Sequence, residues 1–175
     1  QNIQLNSIFE KDSVALGYIG SAVIFKDDVN SLVYDGEKYK YQDVSQGYPF
    51  TSENGTFMIP SDLFAKAFDI AVTAKGDTVT IGNSAIATIG STIALVSGDE
   101  FLLDSPVELK GGVVYLPVRS VAQDILGLSY MLDRGMHIFD TTPFKYTNSP
   151  HTYETKEPID SIYRFMQFEH KTASD

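Results

Sequence analysis

The chain has 175 residues, no cysteine and a formal net charge of −10, and 43% of its residues are hydrophobic. This length and hydrophobic content suit one domain, or two small ones, with a packed core. The acidic balance argues against nucleic acid or an anionic membrane surface as the main partner, because both attract clustered Lys and Arg. The lack of cysteine excludes disulfides, thiolate metal sites and cysteine nucleophiles.

The start of the sequence does not have the pattern of a signal peptide. Residue 1 is Gln, and no basic segment followed by an apolar run opens the chain, so we expect a mature secreted form or a fragment of a longer protein. No run approaches the roughly 18 consecutive apolar residues of a membrane helix, so membrane insertion is not expected.

A first β-rich unit is predicted over residues 13–82. Strands at 32–34 and 38–41 flank Asp35-Gly36, which is a strong tight-turn signal. After Pro60 a short helix is predicted, and residues 70–73 and 78–81 form a closing hairpin. The apolar residues of the helix follow the 3.6-residue period and should face a core: Leu63, Phe64, Ala67 and Phe68.

A second unit with the same order of elements is predicted over residues 83–142. Its first hairpin pairs residues 93–96 with 100–103, and its second helix begins after Pro117 and ends at Gly127. Residues 128–132 and 136–139 form the closing hairpin. The apolar face of the second helix comprises Val118, Val121, Ala122, Ile125 and Leu126.

The two units align as an internal repeat. Pro60 and Pro117 are 57 residues apart (117 − 60), and the closing hairpins align at 58 (139 − 81), which indicates one residue gained within the second helix. Gly20 aligns with Gly90 in an Ile-Gly-Ser run at an offset of 70 (90 − 20), and both are interpreted as bulges or close backbone approaches. The predicted fold is α+β and mostly antiparallel, with the repeated hairpin, short helix and hairpin forming one duplicated domain over 1–142.

The second unit carries a family resemblance. The runs Ile89-Gly90-Ser91, Leu103-Asp104-Ser105-Pro106 and Gly112 to Ala122, with Leu126-Gly127 and Asp133, resemble the copper amine oxidase N-terminal-like domain, a stalk-type module. Leu-Pro-Val-Arg at 116–119 matches the family's Val-Pro-Leu-Arg step, and Leu132-Asp133 stands where Trp-Asp is usual. The first unit departs from the pattern, with Ile-Pro-Ser-Asp at 59–62 and Ala74-Lys75 at those two places. The structural residues of this pattern are Gly20, Gly90, Pro60, Pro117, Arg119, Gly127 and Asp133.

The resemblance implies a non-catalytic module. In that family an antiparallel sheet packs around a helix, and the module occurs, often in tandem, in secreted or surface proteins of bacteria, joined to enzymes that include polysaccharide-degrading ones. The module does not carry the oxidase's copper site. This sequence agrees, because it has no Asn-Tyr-(Asp/Glu) cofactor motif and no His-x-His pair. No cofactor is therefore expected.

A direct search for chemistry gives no catalytic template. The three histidines, His137, His151 and His170, are not spaced as metal ligands, and no metal site is predicted. Gly-x-Ser-x-Gly, Walker and dinucleotide patterns are absent. The acidic pairs are interpreted as solvated turn residues rather than as catalytic acids or calcium ligands: Asp27-Asp28, Asp99-Glu100 and Glu154 with Glu157.

Tyr34, Tyr39 and Tyr41 are the candidate binding residues. Tyr39 and Tyr41 lie two positions apart on one strand face, and Tyr34 lies across the Asp35-Gly36 turn, so the three could form an exposed platform for sugars. The favoured alternative is that this face packs on the core.

Arg119 lies early in the second helix, where a positive charge opposes the helix dipole. We therefore predict a structural ion pair with a nearby carboxylate, Asp104 or Asp133; the alternative is ligand binding.

The last residues differ from the repeat. Residues 143–158 are predicted as a linker, and residues 159–175 as a helix with an apolar stripe formed by Ile159, Ile162, Tyr163 and Met166. Such a stripe needs a partner, which is either a following domain, the favoured interpretation, or the repeat domain itself.

The function expected from the sequence is that of a non-catalytic accessory or stalk module of a secreted bacterial multidomain protein, N-terminal to a polysaccharide-degrading enzyme. Its role would be spacing, interdomain packing or dimer contact. The expected partners are the downstream catalytic domain and, as alternatives, polysaccharide or cell wall and a second copy of the chain. The alternatives are a glycan-binding module that uses the tyrosines, and a non-catalytic part of a lyase or hydrolase.

Overall fold

The protein is described by a computed structural model that covers residues 22–26, 31–34, 37–83, 85–133 and 135–140. The predicted linker 143–158 and the predicted helix 159–175 lie outside these ranges, as do Gly20, Asp35-Gly36, His151 and His170. None of the described helices is long and apolar enough to cross a membrane.

The described chain consists of short strands interrupted by three helical segments. The first half contains β1 (Ala22–Lys26), β2 (Ser31–Tyr34), β3 (Glu37–Lys40), α1 (Tyr41–Val44), β4 (Phe50–Thr51), β5 (Phe57–Pro60), α2 (Ser61–Phe68), β6 (Val72–Lys75) and β7 (Thr78–Ile81). The second half contains β8 (Ala85–Thr88), β9 (Ile93–Val96), β10 (Asp99–Leu102), β11 (Glu108–Lys110), β12 (Val113–Pro117), a π-helical segment π1 (Ser120–Ile125), β13 (Ser129–Asp133) and β14 (Met136–Asp140).

These strands form three sheets. Sheet A has the order β13-β14-β1-β2-β3, sheet B the order β11-β12-β5-β4, and sheet C the order β10-β9-β8-β7-β6. Every strand pair is antiparallel, and one isolated parallel bridge joins Ile89 to Val107. The prediction of a mostly antiparallel sheet structure with a few helices is therefore confirmed.

Each outer sheet contains strands from both halves of the chain. The closing hairpin β13-β14 joins sheet A through β14, which pairs with β1, so Ala22 lies opposite Asp140. The hairpin β6-β7 joins sheet C through β7, which pairs with β8. Neither half completes its own sheets, and we expect both to fold as one cooperative unit.

The core lies between the sheets and around the two longer helical segments. From α2 the core takes Leu63, Phe64 and Ala67, and from π1 it takes Val121 and Ala122. These are positions of the predicted apolar stripes. In the core the Phe25 ring packs against the rings of Phe57, Phe68 and Phe139, with centroids 6.0–6.3 Å apart. Each such buried side chain contributes about 1.5–3 kcal/mol relative to an exposed one.

The second helix differs from the ordinary α-helix expected there. Residues 120–125 are π-helical, and the Leu126 N–H donates to the Val121 carbonyl five residues earlier, at 3.0 Å. A π-helical turn is wider than the α-helical turn expected there, because its hydrogen bonds join residues five positions apart.

Two positive-φ residues end the helices. Gly127, at φ 72°, follows π1, whereas Asp69 adopts φ 50° after α2. Gly127 therefore supplies the left-handed residue that was predicted, while the first helix uses an aspartate, which tolerates this conformation better than most residues.

Gly90 lies in a turn after β8 at φ 83°, where glycine avoids the strain that a side chain would bring. Its N–H donates to the Val107 carbonyl at 2.7 Å, while a Cβ built at Gly90 would meet nothing within 4 Å. The alignment of Gly90 with Gly20 involves a residue outside the described ranges and stays a prediction.

Candidate functional site

The predicted tyrosine platform is not exposed. Tyr34 and Tyr41 are buried, at 5% and 3% exposure, and both belong to the core cluster, against which the half-buried Tyr39 packs. The Tyr34 and Tyr39 rings stack with centroids 4.2 Å apart. The structure therefore has the alternative in which this face packs on the core. The cause is the pairing of β2 with β3, which places Tyr39 opposite Leu32 on the inner face of sheet A. No ring face of a platform is left for a sugar.

Arg119 holds the loop that precedes β11. Its Nε donates to Asp104 Oδ2 at 2.6 Å, and its Nη2 donates to Asp104 Oδ1, which makes the pair bidentate. Nη1 donates to the Gln123 amide oxygen at 2.9 Å, and Asp124 is a second carboxylate partner at 3.3 Å. The bond to Asp104 and the nearby charges raise the pKa of Arg119 further above its usual range, although partial burial opposes this.

The Asp104 backbone is fixed by further contacts. Its N–H donates to Ser120 Oγ at 3.1 Å, and its carbonyl accepts from Asn54 Nδ2 at 3.0 Å. The Arg119 carboxylate partner is thus one of the two that the sequence suggested; nothing is described of the Asp133 side chain. Arg119 makes four hydrogen bonds within the domain, which favours the structural role over ligand binding.

Asp62 plays the corresponding part at the first helix. It is 57 residues before Arg119 (119 − 62), at the same place after the proline. Its Oδ1 accepts from Ser45 Oγ at 2.6 Å, and Oδ2 lies 3.4 Å from the Gln46 N–H. Ser45 and Gln46 form the loop that leads to β4, as Asp104 belongs to the loop that leads to β11. Asp62 thus stands where the family pattern has an arginine. The side chain at this position is negative instead of positive, but it still contacts the preceding loop.

An open groove of about 440 Å³ lies beside the edges of sheet B, and sequence reasoning did not find it. It is lined by Phe50, Thr51, Ser52, Glu53, Asn54, Ser105, Glu108 and Lys110. The Lys110 ammonium lies 4.2 Å from the centroid of the Phe50 ring. The groove therefore combines one aromatic ring with carboxylates, an amide, hydroxyls and an ammonium. No local sequence pattern indicates the groove, because Phe50 and Lys110 are 60 residues apart in the chain (110 − 50).

His137 is a packed strand residue. It is 8% exposed, its ring stacks on Phe57 with centroids 4.3 Å apart, and its Nδ1 lies 2.9 Å from the Tyr130 hydroxyl. Within the part of the chain that the structure describes, no three His, Asp or Glu side chains are grouped so that they could hold a metal ion.

Comparison with known proteins assigns the family. A family model of the copper amine oxidase N-terminal domain matches residues 33–129, more than half of the chain. The chain belongs to this family. The suspected resemblance is thereby confirmed, and the match covers elements from both halves, from β2 to the start of β13. No curated protein matches the chain.

The copper amine oxidase N-terminal domain is a non-catalytic module. The conclusion applies to this segment and leaves the activity of any larger protein open.

Proposed function

We propose that this chain is an accessory module of a secreted bacterial multidomain protein, placed N-terminal to a polysaccharide-degrading enzyme, and that its role is interdomain packing or dimer contact rather than spacing. Membership of the copper amine oxidase N-terminal domain family supports the non-catalytic part of this proposal.

The observation that carries the choice of role is the pairing of Ala22 with Asp140. Directly opposed residues of an antiparallel pair have Cα atoms about 4.5–5.5 Å apart. The first and the last described strands therefore begin and end at one place. A domain whose described ends lie side by side adds little length between neighbours that are joined near those ends, and it projects to the side, where its surface is available for contacts.

Three measurements test the proposal. The coding sequence after Asp175 is expected to contain a polysaccharide-degrading domain, and the 175-residue chain alone is expected to turn over no polysaccharide. Turnover by the chain alone would overturn the accessory role. For packing, the melting temperature of the following domain should rise when the module is attached; an unchanged melting temperature together with a monomeric protein would favour spacing.

We also propose that the domain is a duplication of one unit, related by an approximate two-fold axis in sheet B. The register of β5 and β12 supports this: Ile59 lies opposite Leu116, while Met58 lies opposite Pro117 and Pro60 opposite Tyr115. An offset of 57 makes Tyr115, Leu116 and Pro117 the counterparts of Met58, Ile59 and Pro60. Ile59 therefore lies opposite its own counterpart, Leu116, and the axis passes between these two residues. Both are fully buried. Ile59→Ala and Leu116→Ala should therefore lower the free energy of unfolding by similar amounts, about 2–5 kcal/mol each; losses that differ several-fold would argue against the axis.

A second candidate function is glycan binding, which we place at the sheet B groove rather than at the tyrosines. The groove offers polar side chains beside an aromatic ring, as sugar sites do. Retention of the chain on an insoluble polysaccharide should fall with Glu108→Ala plus Lys110→Ala and stay unchanged with Lys66→Ala, an exposed lysine on α2. If the unaltered chain is not retained on cellulose, chitin or peptidoglycan, this candidate is lost.

A further inference from the structure

The middle of the outer face of sheet A is apolar and buried. We use this name for the side of the sheet that carries Met131, Met136, Ile138, Ile24 and Val33, which the strand registers place next to one another. Ile24, Val33, Met136 and Ile138 are 0% exposed, and Met131 is 7% exposed. Something therefore excludes water from this side of the sheet.

The core described above is on the opposite side. Phe25, Leu32 and Phe139, which alternate with the outer-face residues along the same strands, belong to the main core cluster together with Leu63 and Phe64 of α2. None of the five outer-face residues belongs to that cluster. Since successive side chains of a strand point to opposite faces, the helices that cover one side cannot cover the other. The covering layer must come from outside the described ranges.

We infer that residues 159–168 form this layer. β14 ends at Asp140, and Met136, Ile138 and Asp140 alternate along this strand on the outer side. From Asp140 the chain continues for 35 residues (175 − 140). The 18 residues from 141 to 158 can span up to about 60 Å, more than the diameter of a domain of this size.

The sequence of this segment suits the face. Ile159, Ile162, Tyr163 and Met166 recur at i, i+3, i+4 and i+7, so a helix here would present one apolar stripe. An apolar stripe opposite an apolar sheet face is the standard way in which a helix and a sheet form two layers. The methionines on the sheet can adapt to an irregular partner surface. The helix thereby belongs to this domain and not to a following one, and this inference does not depend on the proposed function.

The first test is a pair of double-mutant cycles in the full chain. Ile162→Ala is combined with Ile24→Ala and, as a matched control, with Ile86→Ala, because Ile86 occupies the position in sheet C that Ile24 has in sheet A. The effects on the unfolding equilibrium should be non-additive by about three- to tenfold for Ile24 and additive for Ile86. If Ile24→Ala fails to fold, Ile24→Val replaces it.

The second test uses the absence of cysteine in the chain. In the proposed helix, single cysteines at Ile162→Cys and Asp160→Cys would lie on the apolar and polar sides of the same turn. A thiol reagent should modify the Ile162→Cys protein at least tenfold more slowly than the Asp160→Cys protein. Equal rates, or additivity in both cycles, would overturn the inference. Coupling of Ile24 to Ile8→Ala and not to Ile162→Ala would overturn it as well, and would assign the layer to the N-terminal residues.

Discussion

Sheets A and C have the same strand layout but opposite outer faces. Across sheet A the central row of side-chain positions is Met131, Ile138, Ile24, Val33 and Lys38; the matching row across sheet C is Thr73, Thr80, Ile86, Leu95 and Glu100. The third and fourth positions of the row are apolar in both sheets. The closing hairpin supplies Met and Ile in sheet A and two threonines in sheet C.

The solvent exposure of the central side chains differs between the two sheets in the same way as their neighbours' polarity. Ile24 and Val33 are fully buried, whereas Ile86 and Leu95 are 43% and 42% exposed. A strand bordered by threonine suits an antiparallel sheet with one solvated face, and a strand bordered by apolar residues on both sides needs a second layer. Sheet A is thus built to be sandwiched and sheet C to face water, although the two share one topology.

The largest effect should come from placing a charge in the middle of each row. Ile138→Asp puts a carboxylate on a fully buried face and should lower the free energy of unfolding by more than about 4 kcal/mol, enough to unfold a marginal domain. Thr80→Asp at the matching position should change it by about 1 kcal/mol or less. Urea unfolding followed by circular dichroism measures both, and equal losses would contradict the difference between the faces.

A smaller effect is expected from truncating the matched isoleucines. Ile24→Ala should lower the free energy of unfolding by about 2–5 kcal/mol, because it leaves a cavity in a packed layer. Ile86→Ala removes the same atoms from a side chain that is nearly half exposed, and should lower it by about 1 kcal/mol or less. A similar loss for Ile86→Ala would indicate that the outer face of sheet C is also covered in solution.

The two loop contacts at the helix starts extend the comparison. Arg119 and Asp104 are 34% and 30% exposed, so solvent screens the pair, and Arg119→Ala should lower the free energy of unfolding by about 1 kcal/mol. Asp62→Ala should give a loss of similar or smaller size. Arg119→Lys should recover only part of the loss, since an ammonium cannot form the bidentate pair. Full recovery by lysine would show that charge alone matters.

The smallest effect should be a change in thermal stability at alkaline pH, and it should depend on Tyr115 in β12 and not on Met58 in β5. Burial raises the pKa of Tyr115, although a bond from the Tyr48 backbone partly offsets this. A raised folded-state pKa means that this contribution to stability is fully present below the unfolded value of about 10 and is lost as pH rises through the folded value. Tyr115→Phe should therefore flatten the decline in melting temperature above pH 10, and Met58→Leu, at the matching position in β5, should leave it unchanged. An unaltered pH profile in the phenylalanine variant would refute this.

Much of the fold could be predicted because it depends on local sequence patterns. The helical stripe at Leu63, Phe64 and Ala67, the prolines that precede both helices and Gly127 after the second each depend on a few neighbouring residues. The π-helical form of the second helix was not visible in the sequence, because a widened turn depends on hydrogen-bond pairing and not on the spacing of apolar residues.

The site was predicted less well because it depends on packing across distance. Tyr39 has the same spacing whether it faces solvent or the core, and only the pairing with Leu32 decides between them. The sheet B groove joins Phe50 and Lys110 from different halves, so no local pattern could reveal it. The pairing of Arg119 with Asp104 was foreseen because an early-helix arginine needs a carboxylate; that Asp62 takes the matching place was not.

The pairing of Ala22 with Asp140 has a mechanical consequence. Once the covering layer of sheet A is detached, a pulling force between the first residue of β1 and the last residue of β14 acts at one end of an antiparallel pair, so it loads the hydrogen bonds one after another instead of together. The two strands would then separate at low tension, beginning at the Ala22–Asp140 pair and moving toward Lys26 and Met136. Sheet C, which holds neither end, would feel the load last.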